Sequence, residues 1–197
     1  DAYIDSHFIG VAMVGRMLER LGYKVGMIGQ PDINSAEDIS RLGEPRLYWG
    51  VSGGSVDSMV SNYTATKKFR NTDDYTPGGK NDKRPDRALS VYCNLIRRHF
   101  KDTVPLVLGG IEASLRRVTH YDYWSNKLKK PILFDSKADV LIYGMGEIAL
   151  AQLTKAMDEK RDYRDIRGVC YISKEPVAKY HQMPSHQDCL DDKEKYI

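Results

Sequence analysis

The chain has 197 residues, 41% of them hydrophobic and 29% charged, with a formal net charge of +3. This is enough for one full core with little to spare, and too weakly basic to imply nucleic acid by itself. It also lacks the run of about 18 apolar residues that a membrane-spanning helix needs, so no membrane role is expected.

The clearest local pattern comes first. In "FIGVAMVGRMLERLGYKVGMIG" (8–29) the apolar positions 8, 11, 14, 17, 18 and 21 follow helical spacing. Gly22 suits a C-cap, and Lys24–Gly29 reads as a short strand. The strand that should precede this helix is expected to be largely missing, with "DAYID" its trailing end. Residues 33–43 predict a short helix capped by Asn34 or Ser35 and ended by Gly43. "RLYWGVS" (46–52) predicts a strand and "SVDSMVSNYT" (55–64) a helix. Residues 65–86 are polar, carry glycine and proline, and show no apolar period. A loop of that length in a compact domain is usually functional or disordered.

Next come an amphipathic helix, "RALSVYCNLIRRHF" (87–100), and a buried strand, "VPLVLGG" (104–110). "PILFDS" (131–136) and "DVLIYGMG" (139–146) are strand candidates, 147–160 a helix, and "GVCYIS" (168–173) a late strand. From Lys174 the chain turns polar and patternless. Residues 1–173 are therefore expected to be one domain and 174–197 a linker.

Strands alternating with helices predict an α/β fold with a doubly wound, mainly parallel sheet. Ligands in such sheets bind outside the carboxyl ends of the strands. Those ends are small or glycine-rich here: Ser52-Gly53-Gly54, Gly109-Gly110 and Gly144-Met145-Gly146. Glycine there either lets a backbone approach a ligand or only makes a tight turn. Glu112, just past the paired glycines, can hydrogen-bond a ligand hydroxyl or cap loop amides.

Three cysteines, Cys93, Cys170 and Cys189, stand far apart and outside any CxxC. Thiols in a reducing cytosol are the simple reading, with Cys93 and Cys170 as small buried apolar residues, and a cytoplasmic location is expected. Two segments interleave cations with aromatics. "EASLRRVTHYDYWSNKLKK" (112–130) carries Arg116, Arg117, Lys127, Lys129, Lys130, Tyr121, Tyr123 and Trp124. The 65–86 stretch carries Lys67, Lys68, Arg70, Lys80, Lys83 and Arg84 with Phe69 and Tyr75. Such residues suit phosphate contact and base stacking, or pair internally with Asp73, Asp74, Asp82 and Asp122. His120, Asp122 and Tyr123 form a further candidate hydrogen-bonding cluster.

"NYTA", "YTPGG", "RPDRA", "LGGIEASLRR", "HYDYWS" and "DSKADVLIYGMGE" together make the chain resemble the amino-terminal domain of the YgiQ-like family of radical S-adenosylmethionine (SAM) proteins. The resemblance runs from "DAYIDS" to at least Ser173. It implies a flavodoxin-like or B12-binding-like sheet that serves as accessory, substrate-facing domain to a radical SAM barrel of the same polypeptide. In that family a CxxxCxxC holds a [4Fe–4S] cluster whose open iron chelates SAM. No such run exists here, so the resemblance implies cluster and SAM in the full-length protein and no catalytic residue in this chain. The substrate is not readable.

Asp5-x-His7-x-x-Gly10 matches the loop by which one class of α/β domain offers histidine to the cobalt of B12. Ser52 falls near the spacing of that pattern, but Gly54 stands where leucine is usual. Gly109-Gly110 lies further from Ser52 than the pattern wants. The expectation is that Asp5 or Ser6 caps the helix, that His7 is not a cobalt ligand, and that cobalamin is not bound.

Overall fold

The computed structural model describes residues 1–2, 9–177 and 180–196. Residues 106–109 show how its layers are made. Successive strand side chains point to opposite faces, and here Leu106 and Leu108 enter one apolar cluster while Val107 enters another. The sheet has four strands: β1 (Trp49–Ser52), β2 (Leu106–Gly109), β5 (Val140–Ile142) and β6 (Val169–Tyr171), in the order β1-β2-β5-β6. β1 pairs with β2 and β2 with β5 in parallel, and β6 closes the edge antiparallel to β5. Two further strands, β3 (His120–Asp122) and β4 (Lys127–Lys129), form a separate hairpin.

Helices cover both faces. On one lie α2 (Glu37–Ser40), α4 (Ala88–His99) and α6 (Ile132–Ser136), with Ile39, Leu89, Cys93, Ile96, Ile132 and Leu133 packed on Leu106, Leu108 and Leu141. On the other lie α1 (Ile9–Arg20) and α7 (Glu147–Asp158), with Leu18, Ala149, Leu150 and Leu153 on Val107, Val140 and Ile142. Burying both faces explains why these strands are unbroken apolar runs. The α/β class and the mainly parallel sheet stand as expected. Shorter helices, α3 (Ser58–Asn62) and α5 (Gly110–Leu115), follow the carboxyl ends of β1 and β2.

Several elements differ from expectation. Lys24–Gly29 joins no sheet among the described residues, although Val25 packs on the α1–α7 face. Gly29 instead lies against the carbonyls of Asp1 and Ala2. The 33–43 helix shrinks to α2, preceded by Ala36 without a side-chain cap, because Asp32 draws the Asn34 amide into its own turn at 2.9 Å. Residues 132–136 are helix and not strand. Pro131 leads in, Lys137 ends it in the left-handed region (φ 54°), and the Ser136 hydroxyl donates to the Ile132 carbonyl. A five-residue apolar run does not reveal its period. Within the patternless tail, Ser185 and Asp188 form a capping box that starts α8 (His186–Asp191), followed by a 3-10 turn at Lys193–Tyr196.

The 65–86 stretch is ordered. Asp73, Thr76, Asn81 and Arg84 are all buried. Arg84 donates to both Asp73 carboxylate oxygens, at 3.2 and 3.3 Å, and to the Gly53 carbonyl at 3.3 Å. Thr76 donates to Asp73 and accepts from Gln30, both at 2.6 Å. A loop of this composition holds its shape by burying Arg84 between its own Asp73 and the Asp1 carboxylate, the latter at 2.8 Å.

Candidate functional site at the carboxyl edge of the sheet

The parallel strands bring Ser52, Gly109 and Ile142 to one edge, with Ser52 directly beside Gly109 in register. Glu112 lies beneath this edge and is 1% exposed. Its carboxylate accepts from the Ser58 amide at 2.9 Å and the Leu89 amide at 3.3 Å, so one side chain caps both α3 and α4. Of the two roles open to Glu112, amide capping is the one the geometry shows. The Ser58 hydroxyl adds a bond from the Ala88 amide at 3.0 Å. Asp57 accepts from the Met59 and Val60 amides and pairs with Arg116, whose guanidinium also reaches the Glu112 carbonyl. Burial alone would lower the Arg116 pKa, but the Asp57, Glu112 and Asp122 carboxylates together raise it above its ordinary value.

The same network reaches the hairpin. Arg87 opens α4 in the left-handed conformation (φ 52°, ψ 52°) and donates to Asp122 at 2.6 Å. Asp122 also accepts from the Ser125 amide and hydroxyl. Burial pushes the Asp122 carboxyl up, but Ser125 and Arg87 together hold it below the usual range. His120 turns its Nδ1 to the Val118 carbonyl, and burial lowers its pKa. Tyr123 donates to the Ala65 carbonyl at 2.7 Å. His120, Asp122 and Tyr123 thus have separate partners and share no hydrogen bond.

The glycines divide by what surrounds them. A Cβ on Gly53 would stand 2.7 Å from Glu112 Oε2, and one on Gly110 2.8 Å from Ser52 Oγ, so these two are small because neighbouring strand ends pack there. Gly109 has extended backbone and nothing within 4 Å of such a Cβ, which leaves open space over the end of β2. Gly144 is equally open but adopts φ 70°. Its amide donates to Ser114, joining α5 to the loop after β5. Gly146 packs on Ile142. Arg117 donates to the Ser114 carbonyl and lies 5.0 Å from the Tyr143 ring. His7, with Asp5 and Ser6, falls outside the described residues.

Above the polar network the rim is apolar. Ile111 and Leu115 of α5 and Tyr143, Met145 and Ile148 around the end of β5 are exposed, Met145 to 88% and Ile148 to 75%. An open cleft of about 540 Å³ adjoins them, between Met145, Ile148 and Gln152 on one side and Asp165, Arg167 and Gly168 on the other.

Among the described residues no three His, Cys, Asp or Glu side chains gather to hold a metal. Cys93 is buried in the α4 core, where burial pushes its thiol up to about 12. Burial raises Cys170 also. Cys189 is buried in α8. These thiols do not fit an iron–sulfur cluster, which needs three thiolates on one site. No described helix is long and apolar enough to cross a membrane.

Asp57, Ser58, Arg87 and Ser114 were not singled out in the sequence, and Arg84 was read only as one cation of the 65–86 stretch. Asp57 alone left a signal, an N-cap residue directly before a helical run.

The fold and edge define a three-layer α/β domain whose carboxyl rim is stiffened by buried carboxylates and left apolar and uncovered at its surface. The chain belongs to the Radical SAM N-terminal family, which it matches over residues 1–197. It is 57% identical over 198 residues to a UPF0313 protein of Fusobacterium nucleatum and 51% identical over 199 to one of Thermotoga maritima. Both matches cover all of this chain and 35% of the relative, so the chain spans about a third of their length. Among solved structures its fold is similar to part of the radical SAM methyltransferase TsrM from Kitasatospora setae, determined with tryptophan substrate and a SAM analogue bound. The TM-score is 0.52 at 18% identity, over 82% of this chain and 25% of that one.

Proposed function

We propose that this chain is the accessory, substrate-facing domain of a radical SAM iron–sulfur enzyme, and that the cluster and SAM are held elsewhere in the same polypeptide. The observation that carries the reading is the apolar rim of Ile111, Leu115, Tyr143, Met145 and Ile148 at the strand-end edge. Exposed apolar patches mark surfaces that meet a partner, and the relatives carry about two further thirds of chain with which to meet it. The family match supports a radical SAM region as that partner. The unpaired cysteines suit a reducing cytoplasm.

The test uses the full-length protein, purified without oxygen and reduced. Wild type is expected to convert SAM to 5′-deoxyadenosine. Met145→Lys with Ile148→Lys is expected to keep its iron and lose most of that turnover, because a charged rim no longer seats the catalytic region. No 5′-deoxyadenosine from iron-loaded wild type would overturn the enzyme reading. Unchanged turnover in the variant would overturn the assignment of the rim.

A further inference from the structure

The two basic, aromatic segments lie far apart in sequence, but the fold makes them one surface. Residues 63–70, "YTATKKFR", follow α3, and residues 123–130, "YWSNKLKK", span the hairpin turn and β4. The Tyr63 ring lies 5.5 Å from Phe69 and 5.3 Å from Trp124, and Trp124 lies 5.4 Å from Tyr123. Lys67 Nζ sits 4.6 Å from the centre of the Tyr123 ring and donates to the Trp124 carbonyl. Tyr123 donates back to Ala65. Lys67 and Asn126 hold the two tips in left-handed turns.

The charge on this surface is one-sided. Its sixteen residues contain Lys67, Lys68, Arg70, Lys127, Lys129 and Lys130 and no carboxylate. Two flanking acids are engaged: Asp122 lies under the hairpin on Arg87 and Ser125, and Asp86 binds Tyr63 and Asn62. Phe69 and Tyr123 remain about half exposed. A whole-chain charge of +3 conceals this run of cations, although α8, which carries Asp188 and Asp191, packs on β4.

We propose that this surface binds single-stranded nucleic acid, the cations meeting phosphates and Phe69 and Tyr123 stacking on bases. Stacking on exposed rings flanked by cations is the usual way proteins hold unpaired strands. An acidic peptide has no use for the exposed ring faces. A membrane surface would call for a broad exposed apolar face, and Trp124 and Leu128 of this surface are half-buried. The turns fix the surface before any ligand arrives, which reduces the ordering cost of binding. The inference does not depend on the radical SAM reading, since it needs neither SAM nor a cluster.

The test measures binding of fluorescein-labelled oligo(U) of 20 nucleotides to the full-length protein by anisotropy across a salt series. Lys68→Ala, Lys127→Ala and Lys130→Ala are combined in one variant, since none of these side chains makes a hydrogen bond or ion pair described above. Its salt slope is expected to fall by about 2, at roughly 0.7 per phosphate contact on a single strand. Phe69→Ala is expected to weaken binding at least about fivefold with the slope unchanged. Polyglutamate that competes as well as oligo(U), or full affinity in Phe69→Ala, would overturn the proposal in favour of an acidic protein partner. Binding to anionic vesicles but not to oligo(U) would overturn it in favour of a membrane, and no binding to any of these probes would overturn it outright.

Discussion

Glu112 Oε2 accepts from the Ser58 amide at 2.9 Å, while its other oxygen accepts from the Leu89 amide. One buried carboxylate therefore ties the starts of two helices to the strand-end edge. Replacing it with Gln leaves one amide facing an NH₂ group. Glu112→Gln is expected to cost about 1–3 kcal/mol, the penalty for a buried donor without a partner. Hydrogen exchange should speed up in the peptides holding Ser58 and Leu89. Glu147→Gln, at the half-exposed first residue of α7, should cost less than about 1 kcal/mol. Equal exchange in both variants would refute the double cap.

Gly53 and Gly109 separate packing from ligand approach. Gly53→Ala drives a methyl into the Glu112 carboxylate and should lower stability. Gly109→Ala meets nothing within 4 Å and has extended backbone, so stability should stay within about 0.5 kcal/mol. If Gly109→Ala nevertheless lowers the proposed SAM turnover of the full-length protein, a ligand passes over the end of β2. Full activity in that variant would leave β2 as packing only.

Arg84 and Asp73 are almost wholly buried, with side-chain exposures of 1% and 2%. Arg84 also pairs with the Asp1 carboxylate at 2.8 Å, so removing Arg84 leaves buried carboxylates without their cation, at about 3–5 kcal/mol. Arg84→Met is therefore expected to release residues 65–86. Limited proteolysis should then cut within this stretch, where wild type resists. Resistance in the variant would show that other contacts hold the loop.

Asp122 gives a pH dependence with a definite sign. Its folded pKa lies below the ordinary 3.8, so its contribution to stability is fully present above about pH 4 and is lost as pH falls through the depressed value. His120 acts in the same direction at higher pH. Burial lowers its folded pKa, so stability declines as pH falls below its ordinary 6.5. Asp122→Asn should flatten the acid limb only, as read by urea midpoints across pH. An acid limb that survives in Asp122→Asn would place the titration elsewhere.

The layers were legible because apolar runs and helical spacing are local properties. β2 and α4 fell within two residues of their expected bounds. The site was less legible because its bonds are not local. Glu112 is 54 residues from Ser58, and Arg87 is 35 from Asp122, so no spacing could announce either bond. "PILFDS" misled because a short buried helix and a buried strand share one composition. The hairpin was missed because Tyr121 and Tyr123 on its exposed side erase the usual alternation.

The proposed function places the reaction centre outside this chain. Its most direct test is iron and acid-labile sulfide in the full-length protein purified without oxygen, for wild type and for Cys93→Ala, Cys170→Ser and Cys189→Ser combined. About four iron and four sulfide per chain are expected in both, the content of one [4Fe–4S] cluster. Loss of iron in the cysteine variant, with its fold intact by circular dichroism, would contradict it and place the cluster on these thiols.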